Sequence, residues 1–243
     1  MHRVLVLIPA RYASTRFPGK PLALLGDKTL IRHVYDNCLE SGFDVCVVTD
    51  DDRIESHIKE FDGKVVRVDD YVISGTERIE LAYRRFFKDK DYDLVINVQG
   101  DEPLLKPQEL KDLADLHLIR HFDIMTMVKE RSSLEEDYTN PNVVKAVYFP
   151  VTEACPYFSR ASVPFNREGA ECIWYQHIGV YSFRPKALRD FCKGAPSQYE
   201  QSEKLEQLRA LEMGLLIGAK ITNSKLLGVD TPQDLDKVTR ELK

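Results

Sequence analysis

A twelve-residue stretch near the start of the chain, Pro9-Ala-Arg-Tyr-Ala-Ser-Thr-Arg-Phe-Pro-Gly-Lys20, constrains the fold more than any other segment. It follows a short apolar run, Val4–Ile8, that reads as a buried strand, and it precedes a helical pattern from about Leu30. A strand, a basic loop and then a helix is how α/β proteins hold phosphates, at the carboxyl end of a strand. Arg11, Arg16 and Lys20 bring three positive charges into the loop, beside Ser14. Guanidinium forks and a compact ammonium both suit phosphate oxygens. Pro9 and Pro18 stiffen the loop, and Gly19 lets backbone come close to a ligand. On charge alone the stretch also reads as a solvated surface loop. The commoner phosphate motifs are missing: there is no G-x-G-x-x-G, and Gly19-Lys20 is followed by Pro21 with no glycine five residues earlier.

The length of 243 residues suits one large α/β domain carrying an insertion. A net charge of −5 argues against a nucleic-acid partner. Against that acidic background the basic loop favours a small anion focused at one site. Apolar runs are too short for a bilayer span, and Arg3–Ala10 runs into Arg11 too soon for a signal peptide, so no membrane partner is expected. Cys38, Cys46, Cys155, Cys172 and Cys192 are widely spaced and form no C-x-x-C, which fits reduced thiols in a cytoplasmic protein.

In chain order the first half alternates strand and helix. Strands are expected at Val4–Ile8, Val45–Thr49, Lys64–Val68 and Leu94–Val98. Helices are expected from Leu30 to Gly42, after Asp50–Asp52 to about Phe61, after the tight loop Ser74–Arg78, and from Pro107 to about Arg120. Repeated β-α units imply a mostly parallel, doubly wound (Rossmann-like) sheet. The second half is less regular. Strands are expected at 124–128, 143–149, 157–160, 178–183 and near Ile221, and helices at 188–192, Gln201–Met213 and from Pro232 to Leu242. The expectation is a single domain over 1–243 with an inserted smaller lobe within roughly 125–195.

Asp101 ends an apolar strand behind Gly100, and Asp230 sits in a Gly-Val-Asp-Thr-Pro turn. A hard cation such as Mg²⁺ takes one or two such carboxylates together with phosphate oxygens. Each Asp also reads as a helix N-cap, with prolines following. Asp50-Asp51-Asp52 reads either as an acidic metal triplet or as helix capping. His177, beside an apolar strand, reads as a structural histidine or a catalyst. Arg160 either recognises a carboxylate or pairs with a surface acid. Glu203 and Glu206, one helical turn apart, read as a solvated helix face.

Taken together, the motifs Pro9-Ala-Arg-x-x-Ser-Thr-Arg-x-Pro-Gly-Lys-Pro-Leu22, Ser74-Gly-Thr-Glu-Arg78, Asn97-Val-Gln-Gly-Asp-Glu-Pro103, Tyr157-Phe-Ser-Arg160, His177-Ile-Gly-Val-Tyr181, Leu205-Glu-Gln-Leu-Arg209 and Gly228-Val-Asp-Thr-Pro232 occur in the order of one family. The chain resembles the 3-deoxy-manno-octulosonate cytidylyltransferases, the CMP-Kdo synthetases. The resemblance implies a nucleotidyltransferase that takes CTP and 3-deoxy-D-manno-octulosonate (Kdo) to CMP-Kdo and pyrophosphate for lipopolysaccharide biosynthesis. It also implies Mg²⁺ as cofactor and a cytoplasmic homodimer. Carried over, Arg11, Arg16 and Lys20 would hold the triphosphate, while Ser14, Ser74, Thr76 and Arg78 would line the nucleotide pocket. Asp101 and Asp230 would hold the metal and, with Lys20, form the catalytic set. Gln99, Arg160, His177, Tyr181, Glu206 and Gln207 would form the sugar pocket, with Arg160 on the substrate carboxylate. The resemblance moves Asp50–Asp52 toward capping and His177 toward sugar contact. Departures from the family pattern at Ala154-Cys155-Pro156, 168–175 and 198–202 lie on the sugar side. They leave open Kdo, its 8-amino analogue or another 2-keto-3-deoxy acid. Rival readings are a sialate cytidylyltransferase, a binding protein without turnover and a dehydrogenase. The intact Lys20 and carboxylates and the missing glycine fingerprint speak against the last two.

Overall fold

The computed structural model describes residues 2–13 and 17–241. The chain runs β1 (Val4–Ala10), β2 (Leu24–Leu25), β3 (Lys28–Thr29), α1 (Leu30–Glu40), β4 (Asp44–Thr49), α2 (Asp52–Glu60), β5 (Val65–Arg67), α3 (Gly75–Ala82), β6 (Leu94–Asn97) and α4 (Pro107–Ile119). It continues through β7 (Ile124–Ser132), β8 (Lys145–Phe149), β9 (Ala154–Ser159), β10 (Ile173–Phe183), α5 (Pro185–Lys193), α6 (Gln198–Glu203), α7 (Gln207–Glu212), β11 (Ile217–Ile221) and α8 (Pro232–Glu241). These elements form two compact units, Met1–Ala114 with Ser224–Lys243, and Asp115–Asn223. The second unit therefore starts before and ends well after the lobe expected over 125–195, and takes in α6, α7 and β11.

The first unit is built on β1. Its run Val4-Leu-Val-Leu-Ile8 is buried throughout, as a central parallel strand covered on both faces requires. β1 pairs in parallel with β4 on one side and β6 on the other, and β4 pairs in parallel with β5. In register Ala10 faces Thr49 and Leu7 faces Asn97. The loops after β1, β4 and β6 therefore leave from one edge of the sheet, the carboxyl edge, where α/β folds place ligands. A buried cluster of Leu25, Leu30, Val229 and Val238, flanked by Phe17, Leu104, Leu227 and Leu235, packs α8 and its preceding turn into this unit. That packing carries Asp230 back to the edge where the chain began.

The second unit departs from the expected mostly parallel sheet. β7 is antiparallel to β10 and parallel to β11, β11 is antiparallel to β9, β9 to β8, and β8 to β10. The five strands therefore pair around a closed ring, and doubly wound parallel character is confined to the first unit. The reason lies in the connections. β8 and β9 are joined by a tight turn closed by Glu153 N–H on Phe149 O (2.7 Å), and antiparallel neighbours need no crossover helix. β10 is longer than its apolar core suggested and carries an irregularity. His177 faces Val128 and Ile178 faces Met127, but Ser182 already faces Met125. Such bulges re-aim side chains. The hydroxyl of buried Thr126 lies opposite, within 2.9 Å of Ile178 O and 2.8 Å of Val180 O.

The expected single helix Gln201–Met213 is two. α6 ends at Glu203, Lys204 lies at φ 54, and α7 starts at Gln207. A left-handed conformation costs an L-residue roughly 1–2 kcal/mol, so a non-glycine break must be compensated by tertiary contacts. Glu203 and Glu206 accordingly do not share one helix face.

Within the second unit His117 is fully buried, with Nε2 3.0 Å from Phe122 O and Nδ1 2.8 Å from Ser182 Oγ. Arg184 bonds the carbonyls of His117, Arg120 and Phe122. The carbonyl of Phe122 fixes Nε2 as the donor, so Nδ1 accepts from the serine. Burial lowers the His117 pKa to about 4, and burial likewise lowers His177 to about 3. A folded pKa below the unfolded value of 6.5 means the unfolded chain binds more protons. Stability is therefore full above pH 6.5 and falls as pH drops toward 4. For His117 alone the loss is on the order of 3 kcal/mol. His117→Gln, with no titrating ring, should flatten the fall in unfolding free energy between pH 6.5 and 4.5 measured by urea denaturation. An unchanged slope would exclude His117 as a source of acid sensitivity.

Candidate functional site

The basic loop folds back on itself. Gly19, at φ 71, donates its N–H to Tyr12 O at 2.9 Å, and a Cβ added there would lie 3.0 Å from the Tyr12 ring. Glycine is therefore required twice over, by conformation and by contact. Arg53 stacks on the Tyr12 ring with its guanidinium carbon 3.2 Å from the centroid. This closure presents Lys20, whose side chain is only 14% exposed. Its Nζ lies 2.5 Å from Asp101 Oδ2 and 3.5 Å from Asp230 Oδ1, joining positions 81 and 210 residues away in the chain. Arg11 donates from Nη2 to Val72 O at 2.9 Å, tying the loop to the segment ahead of α3. Ser14 and Arg16 lie outside the described residues.

Neither aspartate occupies the N-cap position of the helix that follows it. α4 begins six residues after Asp101, and α8 is capped by Thr231, which exchanges bonds with Asp234 at 2.8–3.3 Å. The turns that carry the aspartates are docked by Val229 N–H on Asp101 O at 2.9 Å. Gly228 allows this approach, since a Cβ there would stand 3.2 Å from Glu102 Oε1. Glu102 Oε2 is buried with no hydrogen-bond partner among the described residues. Burial first, and then the charges of Asp101 and Asp230, push the Glu102 pKa up to about 8. Two hard carboxylates thus converge on one cation beside a third carboxyl group whose pKa is raised. No cluster of three or more His, Cys, Asp or Glu able to hold a metal occurs among the described residues. Two neighbouring carboxylates are the donor set that Mg²⁺ takes when phosphates complete its shell, so the residues fit that ion.

The residues around the start of α3 divide by role. Ser74 is the N-cap, its side chain accepting from Glu77 N–H at 3.2 Å, so Ser-Gly-Thr-Glu-Arg opens a helix rather than forming a loop. Thr76 is buried, with Oγ1 3.5 Å from Asn97 Nδ2, and Gln99 Nε2 lies 3.4 Å from Asn97 Oδ1. Arg78 does not line an open pocket through its side chain. Its guanidinium is buried and donates to Asp50 Oδ2 (2.6 Å) and Val68 O (2.5 Å). Asp51 caps α2 by accepting from Arg53 N–H at 3.0 Å, and Asp52 pairs with Arg67. The acidic triplet is therefore divided between an arginine anchor, a cap and a surface pair, and forms no metal site.

In the second unit Arg160 donates from Nε to Glu203 O at 2.6 Å and from Nη1 to Pro141 O at 2.9 Å. His177 Nε2 lies 3.1 Å from Thr126 Oγ1. The Thr126 hydroxyl proton goes to the bulge carbonyls, so His177 carries its proton on Nε2 and leaves Nδ1 as an acceptor. The ring is packed by Phe158 and Tyr181, with centroids at 5.1 and 5.4 Å. Tyr181 OH lies 3.2 Å from Gln207 Oε1, while buried Gln207 Nε2 has no partner among the described residues. Burial, followed by the charge of Glu206 at the start of α7, holds the Tyr181 phenol protonated. The unit thus gathers a fixed guanidinium, a neutral imidazole, a phenol and an amide with a spare donor. Those groups suit a hydroxylated anion. Sequence reasoning missed Thr126, Glu102 and Lys145; only Lys145, a lysine within an apolar strand run, left a visible signal.

Comparison with known proteins gives one family. The profile of a family described as Cytidylyltransferase matches residues 5–221. A 3-deoxy-manno-octulosonate cytidylyltransferase of Cytophaga hutchinsonii is 42% identical over 97% of this chain and 96% of its own length. An 8-amino-3,8-dideoxy-manno-octulosonate cytidylyltransferase of Shewanella halifaxensis is 44% identical over 96% of this chain and 95% of its own. Among solved structures, a CMP:2-keto-3-deoxy-manno-octonic acid synthetase complexed with CTP superposes with a TM-score of 0.91 at 32% identity, covering 99% of this chain and 98% of that one. The mixed α/β architecture and the ordered motifs have this common source: the chain belongs to the cytidylyltransferase family.

Proposed function

We propose that this protein transfers CMP from CTP to the anomeric hydroxyl of Kdo, releasing pyrophosphate. The observation that carries the reading is the convergence of Lys20, Asp101 and Asp230 at the carboxyl edge of the first unit's sheet. It stands in a chain that matches Kdo cytidylyltransferases over nearly its whole length. The hydroxyl oxygen attacks the α-phosphorus in line. The bond from that phosphorus to the oxygen bridging to the β-phosphoryl group breaks, pyrophosphate leaves with the electron pair, and the hydroxyl proton passes to solvent. Such a displacement needs alignment and charge neutralisation rather than a covalent intermediate. Arg11, Arg16 and Lys20 hold the triphosphate. Lys20 has a flexible stem that carries its ammonium from the carboxylates onto phosphate oxygens. Asp101 and Asp230 hold Mg²⁺, which when bound supplies charge on the phosphate oxygens and lowers the pKa of the attacking hydroxyl. The hydrogen bond from Val229 N–H to Asp101 O keeps the two carboxylate-bearing turns in contact.

In the second unit Arg160 receives the carboxylate of the sugar acid. His177 Nδ1 accepts from a sugar hydroxyl, and Gln207 Nε2 donates to a sugar oxygen. Lipopolysaccharide precursor synthesis in the cytoplasm, by a homodimer, is the setting that fits this activity.

Pyrophosphate release from CTP and Mg²⁺ tests the reading with Kdo, the 8-amino analogue and sialic acid assayed in parallel. Release greatest with Kdo is expected. Faster release with the amino analogue would reassign the substrate, and release with none of the three would overturn the proposal. Asp101→Asn should leave CTP binding, measured by calorimetry, within about tenfold while abolishing turnover, because metal charge acts most in the transition state. Turnover at the wild-type rate under saturating Mg²⁺ would remove Asp101 from the mechanism. Arg160→Lys should raise the KM for Kdo about tenfold or more, because a point charge replaces a fork. A KM unchanged from wild type would place the carboxylate elsewhere.

A further inference from the structure

The break between α6 and α7 is directed at one side chain. In an uninterrupted helix Glu203 O would accept the N–H of Gln207. Lys204 at φ 54 turns the chain out of that register, and Glu203 O accepts from Arg160 Nε at 2.6 Å instead. The Glu203 carboxylate completes the grip. Oε2 accepts from Arg160 N–H at 2.6 Å, and Oε1 accepts from Ser159 Oγ at 2.7 Å. The opposite flank is held as firmly. Arg160 Nη1 donates to Pro141 O at 2.9 Å. Lys145, fully buried, donates from Nζ to Arg160 O at 2.9 Å, Asn140 O at 2.7 Å and Val143 O at 2.9 Å.

The kind of partner matters as much as the number. Arg78 and Arg209 are buried against the carboxylates of Asp50 and Glu200, at 2.6 and 2.8 Å, so their charge is already met. The Arg160 guanidinium is bonded only to neutral carbonyls among the described residues, and Nη2 has no partner there. It is immobilised without being neutralised, the condition that favours capture of an incoming carboxylate, since neither rotamer freedom nor an existing ion pair must be given up. We infer that Glu203 is a positioning residue for Arg160, and that the broken helix exists to place its carbonyl and carboxylate around that arginine. The inference rests on the proposed role of Arg160 as receptor for the substrate carboxylate.

Steady-state kinetics with CTP and Kdo on Glu203→Ala, Glu203→Gln and Arg160→Lys, with thermal midpoints of each, test it. Glu203→Ala should raise the KM for Kdo about tenfold while the KM for CTP stays within about twofold. Glu203→Gln keeps an acceptor for Arg160 N–H and offers an amide N–H to Ser159 Oγ, so its Kdo KM should return to within about threefold of wild type. A merely structural role would lower the thermal midpoint and the active fraction but leave both KM values unmoved, and that outcome overturns the inference. So does an equal rise in both KM values. If Arg160→Lys raises the Kdo KM and Glu203→Ala does not, this inference alone fails. If Arg160→Lys has no effect either, the role of Arg160 falls with it. Should Glu203→Ala not fold, Glu203→Asp withdraws both acceptors by one methylene and must shift the Kdo KM in the same direction, or the inference is wrong.

Discussion

The ammonium of Lys20 standing between Asp101 and Asp230 is the interaction on which the chemistry proposed for the first unit depends. Three segments remote in sequence meet there, and each is brought by a different force. The basic loop is delivered by β1 and closed by the glycine turn at Gly19. Asp101 is delivered by β6, whose parallel pairing with β1 fixes the shared edge. Asp230 is delivered by the apolar cluster under α8 and held by a backbone hydrogen bond to Asp101. Two carboxylates this close repel one another unless a cation lies between them. Burial, and after it the charges of both aspartates, push the pKa of the neighbouring Glu102 up to about 8. The arrangement favours positive charge, as the proposed binding of a triphosphate there requires.

The second unit handles charge differently. Its cations are sorted by partner. Arg209 is paired with Glu200, Lys145 is satisfied by three carbonyls, and the Arg160 guanidinium is bonded to carbonyls alone among the described residues. His177 and Tyr181 are kept neutral by burial. Neutral hydrogen-bonding groups and a guanidinium bonded only to carbonyls, in one unit, are what the proposed binding of a polyhydroxylated acid calls for.

The sequence was most informative where one residue's neighbours in the chain are also its neighbours in space. Val4–Ile8 announces a central strand because every residue is apolar. Ser74 and Asp51 announce helix starts because capping is local. It was least informative where side chains act at a distance. Nothing near Arg78 in the chain shows that Asp50 will claim its guanidinium, and nothing near Asp50 separates it from Asp51 and Asp52. The continuous helical periodicity of 201–213 conceals the break at Lys204, since no glycine or proline marks it. The mostly antiparallel ring of strands was hidden in the same way: β10 is interrupted by a bulge at 178–182 that only its pairing with β7 exposes.

By itself the sequence determined the parallel β-α half, the basic loop after the first strand, the ordered motifs of a cytidylyltransferase and the residue types proposed to surround the substrate. Those are properties of periodicity, capping and residue chemistry, which act over a few positions. The tertiary structure alone decided which charges are already partnered and which remain available. It made Arg78 an anchor and left Arg160 unneutralised, released Asp101 and Asp230 from capping, and turned Glu203 from a helix face toward an arginine. The physical reason is that the fate of a charge depends on what lies within about 4 Å of it, and in this chain those neighbours come from segments that sequence distance keeps apart.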